Sequence, residues 1–166
     1  MARMIPAFCS ATAPPGEKEL FRYFRDEQQS PNWVIFHSLG LANHERQVEG
    51  EADFVVVIPN LGILVLEIKS HKSVSRDDYG LWRLGNDAPT VRGPFQQAQE
   101  AKHSTINFLR QRKIDLRNVP VVHAVWFTSI RAKNALPTSP EWQPWQILDL
   151  QDMENVVGAI RRTLSS

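Results

Sequence analysis

Apolar residues gather most densely in the middle of the chain, in two runs at 52–58 and 62–70. Both are rich in Val, Ile and Leu, and they are separated by Pro59-Asn60-Leu61-Gly62. β-Branched runs bounded by turn residues predict strands. Proline presets φ, and Asn and Gly accept positive φ, so the four residues between predict a hairpin turn. Upstream, Leu20, Phe21 and Phe24 recur at three-and-four spacing and predict an amphipathic helix over about 16–29. Residues 33–39 predict a first strand. Residues 71–93 are polar, interrupted by a short strand at 81–84. Pro94 opens a second helix to about residue 112, since a first helical turn accepts proline. The apolar run 119–128 predicts a buried strand. Residues 129–145 hold three prolines and predict a loop. A short strand at 146–149 follows. Met153, Val156, Val157, Ile160 and Leu164 then mark a last helix, with Asp149 and Asp152 as its expected caps.

This order predicts an α/β fold: one central mixed β-sheet flanked by helices, with an α-β-β-β-α-β core. The 166 residues suit one domain over 16–166, preceded by an irregular lead-in over the Ala- and Pro-rich residues 1–15. A hydrophobic fraction of 42% and a charged fraction of 22% exclude a disordered chain. The single cysteine excludes an internal disulfide and a cysteine-rich zinc site, and fits a cytoplasmic location. No apolar run reaches membrane-spanning length, and prolines at 6, 14 and 15 interrupt any signal-peptide core. With a net charge of +1, a nucleic-acid surface would have to be local.

The candidate chemistry sits on the second hairpin strand. Side chains alternate across a strand. Leu64, Leu66 and Ile68 therefore share one face, and Ile63, Val65, Glu67 and Lys69 share the other. A carboxylate and an ammonium in so apolar a strand are costly unless paired or bound to metal. The preceding strand offers Asp53, just before a wholly apolar run. Asp53 and Glu67 converge only if they lie opposite each other, which requires an odd-numbered loop or a bulge beside Gly62. A plain four-residue loop would pair Asp53 with Ile68 on the wrong face. We expect the odd loop or the bulge. Two such carboxylates suit a hard divalent cation such as Mg²⁺. Such an ion can polarise a phosphoryl oxygen, with a lysine nearby to steady developing charge.

Two helices can add to the site. On the first, Glu17 shares the stripe of Leu20, Phe21 and Phe24, which makes it a candidate third carboxylate. On the second, Gln97 aligns with Ala101, Ser104 and Phe108 near the inward edge, whereas Gln96 aligns with Glu100, His103 and Asn107 toward solvent. Other polar residues read as structural or solvated. His44-Glu45 lacks the second histidine of a zinc-protease motif, because residue 48 is Val. His37, His103 and His123 are expected in structural roles, and His71 in solvent past a strand end. Arg46, Arg76, Arg83, Arg92, Lys102, Arg110 and Arg112 read singly as solvated cations. Trp126 is expected in the core.

Gly16-Glu17, Glu51-Ala52-Asp53-Phe54-Val55-Val56, the run from Gly62 to Lys69, and Pro94-Phe95-Gln96-Gln97-Ala98 together resemble the NERD, or nuclease-related, domain of the PD-(D/E)XK nuclease superfamily. Residues 34–39 and 43–47 are similar to members joined to DNA helicases. The resemblance covers roughly residues 16–128. One departure is Ala52, where the family often has isoleucine. The resemblance implies a restriction-endonuclease-like fold and a divalent-metal-dependent nuclease using Mg²⁺ or Mn²⁺. It implies Asp53, Glu67 and Lys69 as the catalytic core, Glu17 as the helical acid and metal ligand beside Asp53 and Glu67, and Gln97 as an accessory polar residue. DNA is the implied partner, with a helicase in cis or in trans as a further one. The other reading is a catalytically silent DNA-binding or helicase-docking module on the same fold.

Overall fold

Six strands form the central sheet of the computed structural model, in the order β1-β2-β3-β4-β7-β8. The structure describes residues 2–27, 32–39 and 52–166, without the side chains of 38 and 39. The segment 43–47, Arg46 and Glu51 lie outside the described residues. The strands are β1 (Arg3–Ile5), β2 (Val34–Leu39), β3 (Ala52–Ile58), β4 (Gly62–Lys69), β7 (Val121–Phe127) and β8 (Ile147–Leu148). β2, β3 and β4 run as antiparallel neighbours, whereas β1 joins β2, β7 joins β4 and β8 joins β7 in parallel. A separate ribbon pairs β5 (Val74–Arg76) with β6 (Trp82–Leu84). The helices are α1 (Pro15–Asp26), α2 (Pro94–Gln111), the one-turn α3 (Ala132–Ala135) and α4 (Val156–Leu164). The mixed sheet flanked by helices is the expected restriction-endonuclease-like α/β architecture.

Alternation along β4 assigns its two faces. Leu64, Leu66 and Ile68 join Leu20, Phe21 and Phe24 of α1 and Ile160 of α4 in one core. Ile63 and Val65 face Ala101 of α2 on the other side, with Val125 and Phe127 of β7 under Phe95 and Ala98. The sheet is thus covered on both faces, as parallel strands require. α2 forms the crossover between the parallel neighbours β4 and β7. Among the described residues, no helix is long and apolar enough to cross a membrane.

Several elements differ from the sequence reading. The lead-in holds a strand, because Arg3, Met4 and Ile5 pair with Val34, Ile35 and Phe36. Three residues carry too little periodicity to announce a strand. The polar stretch 71–93 contributes β5 as well as β6, and the proline-rich 129–145 contains α3. The last helix is preceded by a 3-10 turn at Leu150–Glu154. Asp149 caps that turn by accepting from the Gln151 N–H, whereas Asn155 caps α4 by accepting from the Gly158 N–H at 2.9 Å. Asp152 instead bonds the Asp149 N–H, Lys133 and Arg162.

Candidate active site

The hairpin loop sets the register of the site. Ile58 pairs with Gly62 and Val57 with Ile63, leaving the odd loop 59–61 between them. Asn60 turns the chain at φ 66°, and Gly62 follows at φ 147°. A side chain at Gly62 would also strike the Pro120 carbonyl. The same register carried to the far end places Asp53 opposite Glu67, as expected from an odd loop. The ladder itself ends at Phe54 and Leu66. Just beyond it, the Asp53 Oδ2 accepts the Ile68 N–H at 2.8 Å. The carboxylate thus supplies an acceptor to a backbone group that a frayed ladder would leave unmet.

Glu67 and Lys69 sit side by side on the α2 face, with Nζ 3.3 Å from Oε1 and side chains only 12% and 15% exposed. Glu17 reaches the cluster from α1. It is buried with Leu20, Phe21 and Phe24, as its stripe predicts. Gly16 explains the close approach. Its N–H donates to Ser70 Oγ at 2.9 Å, and a Cβ there would overlap Ser70 Oγ and Thr128 Oγ1. The Thr128 N–H in turn donates to the Lys69 carbonyl at 3.0 Å. The first turn of α1 is therefore seated on the ends of β4 and β7, and the next residue is Glu17.

The electrostatics follow from this crowding. Burial, then the Asp53 charge and the hydrogen-bonding contact with it, then the Glu67 charge push the Glu17 carboxyl up to about 8, against the pull of Lys69. Burial and then Asp53 push Glu67 up to about 8, again opposed by Lys69. Like charges in a dry site cannot all ionise freely, so the cluster favours holding protons or gaining a cation. His37 stands 4.0 Å from Glu17, but burial lowers its pKa and keeps it neutral, so it adds no compensating charge. Among the described residues, no group of three or more His, Cys, Asp or Glu side chains is arranged to hold a metal ion by itself.

Gln97 lies on α2, half-buried, while Gln96 is exposed and bonds Glu100. The Oε1 of Gln97 is buried without a hydrogen-bond partner. A buried acceptor left unmet costs about 1–3 kcal/mol, which a water or ligand donor would recover. The remaining polar residues fall mostly into structural roles. His71 bonds Asp87 at 2.8 Å, and His123 meets Gln146 with its pKa lowered by burial to about 4. Arg76 lies over the Trp82 and Trp142 rings and reaches Glu141. Arg83 and Arg92 pair with Asp77 and Glu100. Trp126 is fully buried.

The sequence reading did not find Ser70, Thr128 or the purpose of Gly16. A signal was available for Gly16: glycine in a helix costs stability, so its place before a buried acid marks a close approach. No comparable signal marks Ser70 or Thr128, because hydroxyls at strand ends are common.

Comparisons with known proteins bear on the same residues. No curated protein and no solved structure matches the chain. A family profile described as NERD, nuclease-related domain, matches residues 14–128. That span runs from the seat of α1 to Thr128 at the end of β7, and takes in Glu17, Asp53, Glu67, Lys69 and Gln97. The chain belongs to the nuclease-related domain family.

Proposed function

We propose that this protein is a divalent-metal-dependent nuclease that hydrolyses DNA phosphodiester bonds, with a role in repair, processing or defence. The observation that carries the reading is the meeting of Glu67 and Lys69, 3.3 Å apart, with Asp53 and the buried Glu17 in one polar island of an apolar sheet. A structural ion pair would need one acid and one base. Three carboxyls around one ammonium are more acids than that base can match, so they hold protons or exchange them for a divalent cation.

The donor set fits Mg²⁺ or Mn²⁺. Such ions take oxygen ligands, and Mg²⁺ is commonly held by one or two carboxylates together with water and substrate phosphate rather than by a closed protein cage. Among the described residues no three such side chains are preset around an ion, so a bound cation would have to draw these carboxylates together. Asp53 and Glu67 would hold the ion, with Glu17 completing the set from α1. The bound ion supplies Lewis acidity toward the phosphoryl group and acidifies a water.

The chain's own residues do the rest. Asp53 has one oxygen fixed by the Ile68 N–H, which orients the carboxylate. Lys69, held beside Glu67, places an ammonium where charge develops on the phosphate. Gln97 offers an unpaired Oε1 that can accept from a water and so orient it. Partial burial of Glu67 and Lys69 strengthens each of these interactions relative to open water.

The test is cleavage of labelled single-stranded, double-stranded and branched DNA, with matched RNA, in Mg²⁺ and in Mn²⁺. Wild-type protein should cut DNA, and EDTA, Glu67→Gln or Lys69→Ala should abolish cutting while the circular dichroism spectrum is unchanged. If every substrate remains whole in both metals, or if Glu67→Gln cuts as wild type does, the reading is wrong.

A further inference from the structure

A second polar feature lies on the other side of α1. Residues 7–11 and the outer face of that helix enclose a furrow of about 750 Å³. It continues past Ala7 and Arg25, which line both parts, into a hollow of about 480 Å³ bordered by Arg3. Four cations line this path: Arg3, Lys18, Arg22 and Arg25. Glu19 is the acid among the lining residues. Arg25 is paired with Asp26 at 2.8 Å. Arg3, Lys18 and Arg22 are exposed and make no ion pair among the described residues. Asp26, paired with Arg25, also lies within the field of Arg22, so four cations meet the two acids Glu19 and Asp26, a local excess of positive charge on a chain with a net charge of only +1.

The furrow also carries Phe8, with 74% of its surface exposed. A phenyl ring left in water forgoes the gain of burial, and it offers a flat apolar face to a partner. Only buried side chains separate the furrow wall from Glu17. Cys9 lines it, and the Cys9 Sγ stands 3.9 Å from His37 Nε2, which is itself 4.0 Å from Glu17. Lys18 follows Glu17 directly on α1.

We propose that this furrow is a track for single-stranded nucleic acid, in which Arg3, Lys18 and Arg22 hold successive phosphates and Phe8 stacks on one unpaired base. Cationic grooves with interleaved aromatic rings bind single strands because every unpaired base has a stacking face. A duplex keeps its bases stacked on one another and has none to give to Phe8. The track deepens the nuclease reading, and rests on it only for the use to which a held strand is put.

Binding of a fluorescent thymidine homopolymer and of a matched duplex, read by anisotropy in EDTA, tests the track without cutting. Lys18→Glu with Arg22→Glu should weaken single-strand binding about tenfold or more and flatten the salt dependence by roughly 1.4 in log–log slope, at about 0.7 per lost phosphate contact. Phe8→Ala should weaken the single strand about tenfold and leave the duplex unchanged. These side chains are exposed, and an unchanged melting temperature checks that each variant folds. Equal binding by all variants, an equal loss on both ligands in Phe8→Ala, or no single-strand binding by wild type overturns the track. If the variants bind as wild type does while wild type cuts DNA, the nuclease reading stands and the track falls. If binding drops as expected while no substrate is cut, the track stands and the nuclease reading falls.

Discussion

Asp53 and Ile68 are joined by a 2.8 Å hydrogen bond from the Ile68 backbone N–H to the Asp53 carboxylate, at the point where the β3–β4 pairing ends. One side chain therefore both closes the hairpin and faces the candidate site. The two roles separate by substitution. Asp53→Asn keeps an acceptor for the N–H and should leave stability near wild type. Asp53→Ala strands that N–H and should cost about 1–2 kcal/mol. Both should lose DNA cutting, since both lack the charge. Urea denaturation and a cleavage assay read the two effects, and an Asn variant that still cuts would remove Asp53 from the site.

The raised carboxyls make stability depend on pH. Glu17 and Glu67 titrate near 8 in the folded protein, against an ordinary value of 4.5. Between those values the folded state binds more protons than the unfolded state, so stability falls as pH rises through the window. The melting temperature of metal-free protein should decline from pH 5 to pH 8. Glu67→Gln should flatten that decline and melt higher than wild type at pH 8. Each pKa unit corresponds to about 1.36 kcal/mol, which a thermal melt resolves. A wild-type curve that rises over the same window would contradict the crowding of these acids.

A divalent cation should reverse that loss. Its binding displaces protons from the carboxyls, so its affinity increases with pH through the same range. Mg²⁺ or Mn²⁺ should raise the melting temperature more at pH 8 than at pH 6, and Ca²⁺-free buffer with EDTA should abolish the gain. Glu17→Gln and Glu67→Gln should each reduce the increment. A gain that ignores both pH and these substitutions would place the ion elsewhere.

Gly16→Ala probes the seat of α1. The added methyl overlaps Ser70 Oγ and Thr128 Oγ1, so the helix must lift from the strand ends or the hydroxyls must turn away. Overpacking of this kind costs about 1–3 kcal/mol. Cutting should fall further than stability alone explains, because Glu17 moves with the helix. Thr128→Ala in the same chain should recover part of both. Wild-type cutting by the Gly16→Ala protein would show that the position of Glu17 does not matter.

Much of this arrangement is legible in the chain. The turn after Ile58 follows from Pro59, Asn60 and Gly62; its odd length follows only from the need for Asp53 and Glu67 to share a face, and it fixes the face of every β3 and β4 residue. The burial of Glu17 follows from its place in the stripe of Leu20, Phe21 and Phe24. The half-burial of Gln97 against the exposure of Gln96 follows from helical spacing. β1 and β5 were not legible, because three residues of strand give no period to detect. The cap of α4 was misplaced from Asp149 and Asp152 to Asn155, because Leu150–Glu154 form a 3-10 turn whose sequence runs on smoothly into the helix.

The sequence by itself determined which residues share a face, since a side chain's direction repeats every 2 residues in a strand and every 3.6 in a helix. It thereby determined that Glu67 and Lys69 are neighbours, and that Asp53 joins them given the loop. Only the tertiary structure decided how Glu17 meets them from the other side of the sheet, on a helix seated by Gly16, Ser70 and Thr128. Those contacts span 54 residues of chain in the case of Gly16 and Ser70. Local periodicity carries no information over such a distance. The proton affinity of the carboxyls was likewise decided there, because it depends on how closely separate elements crowd charge into a dry space.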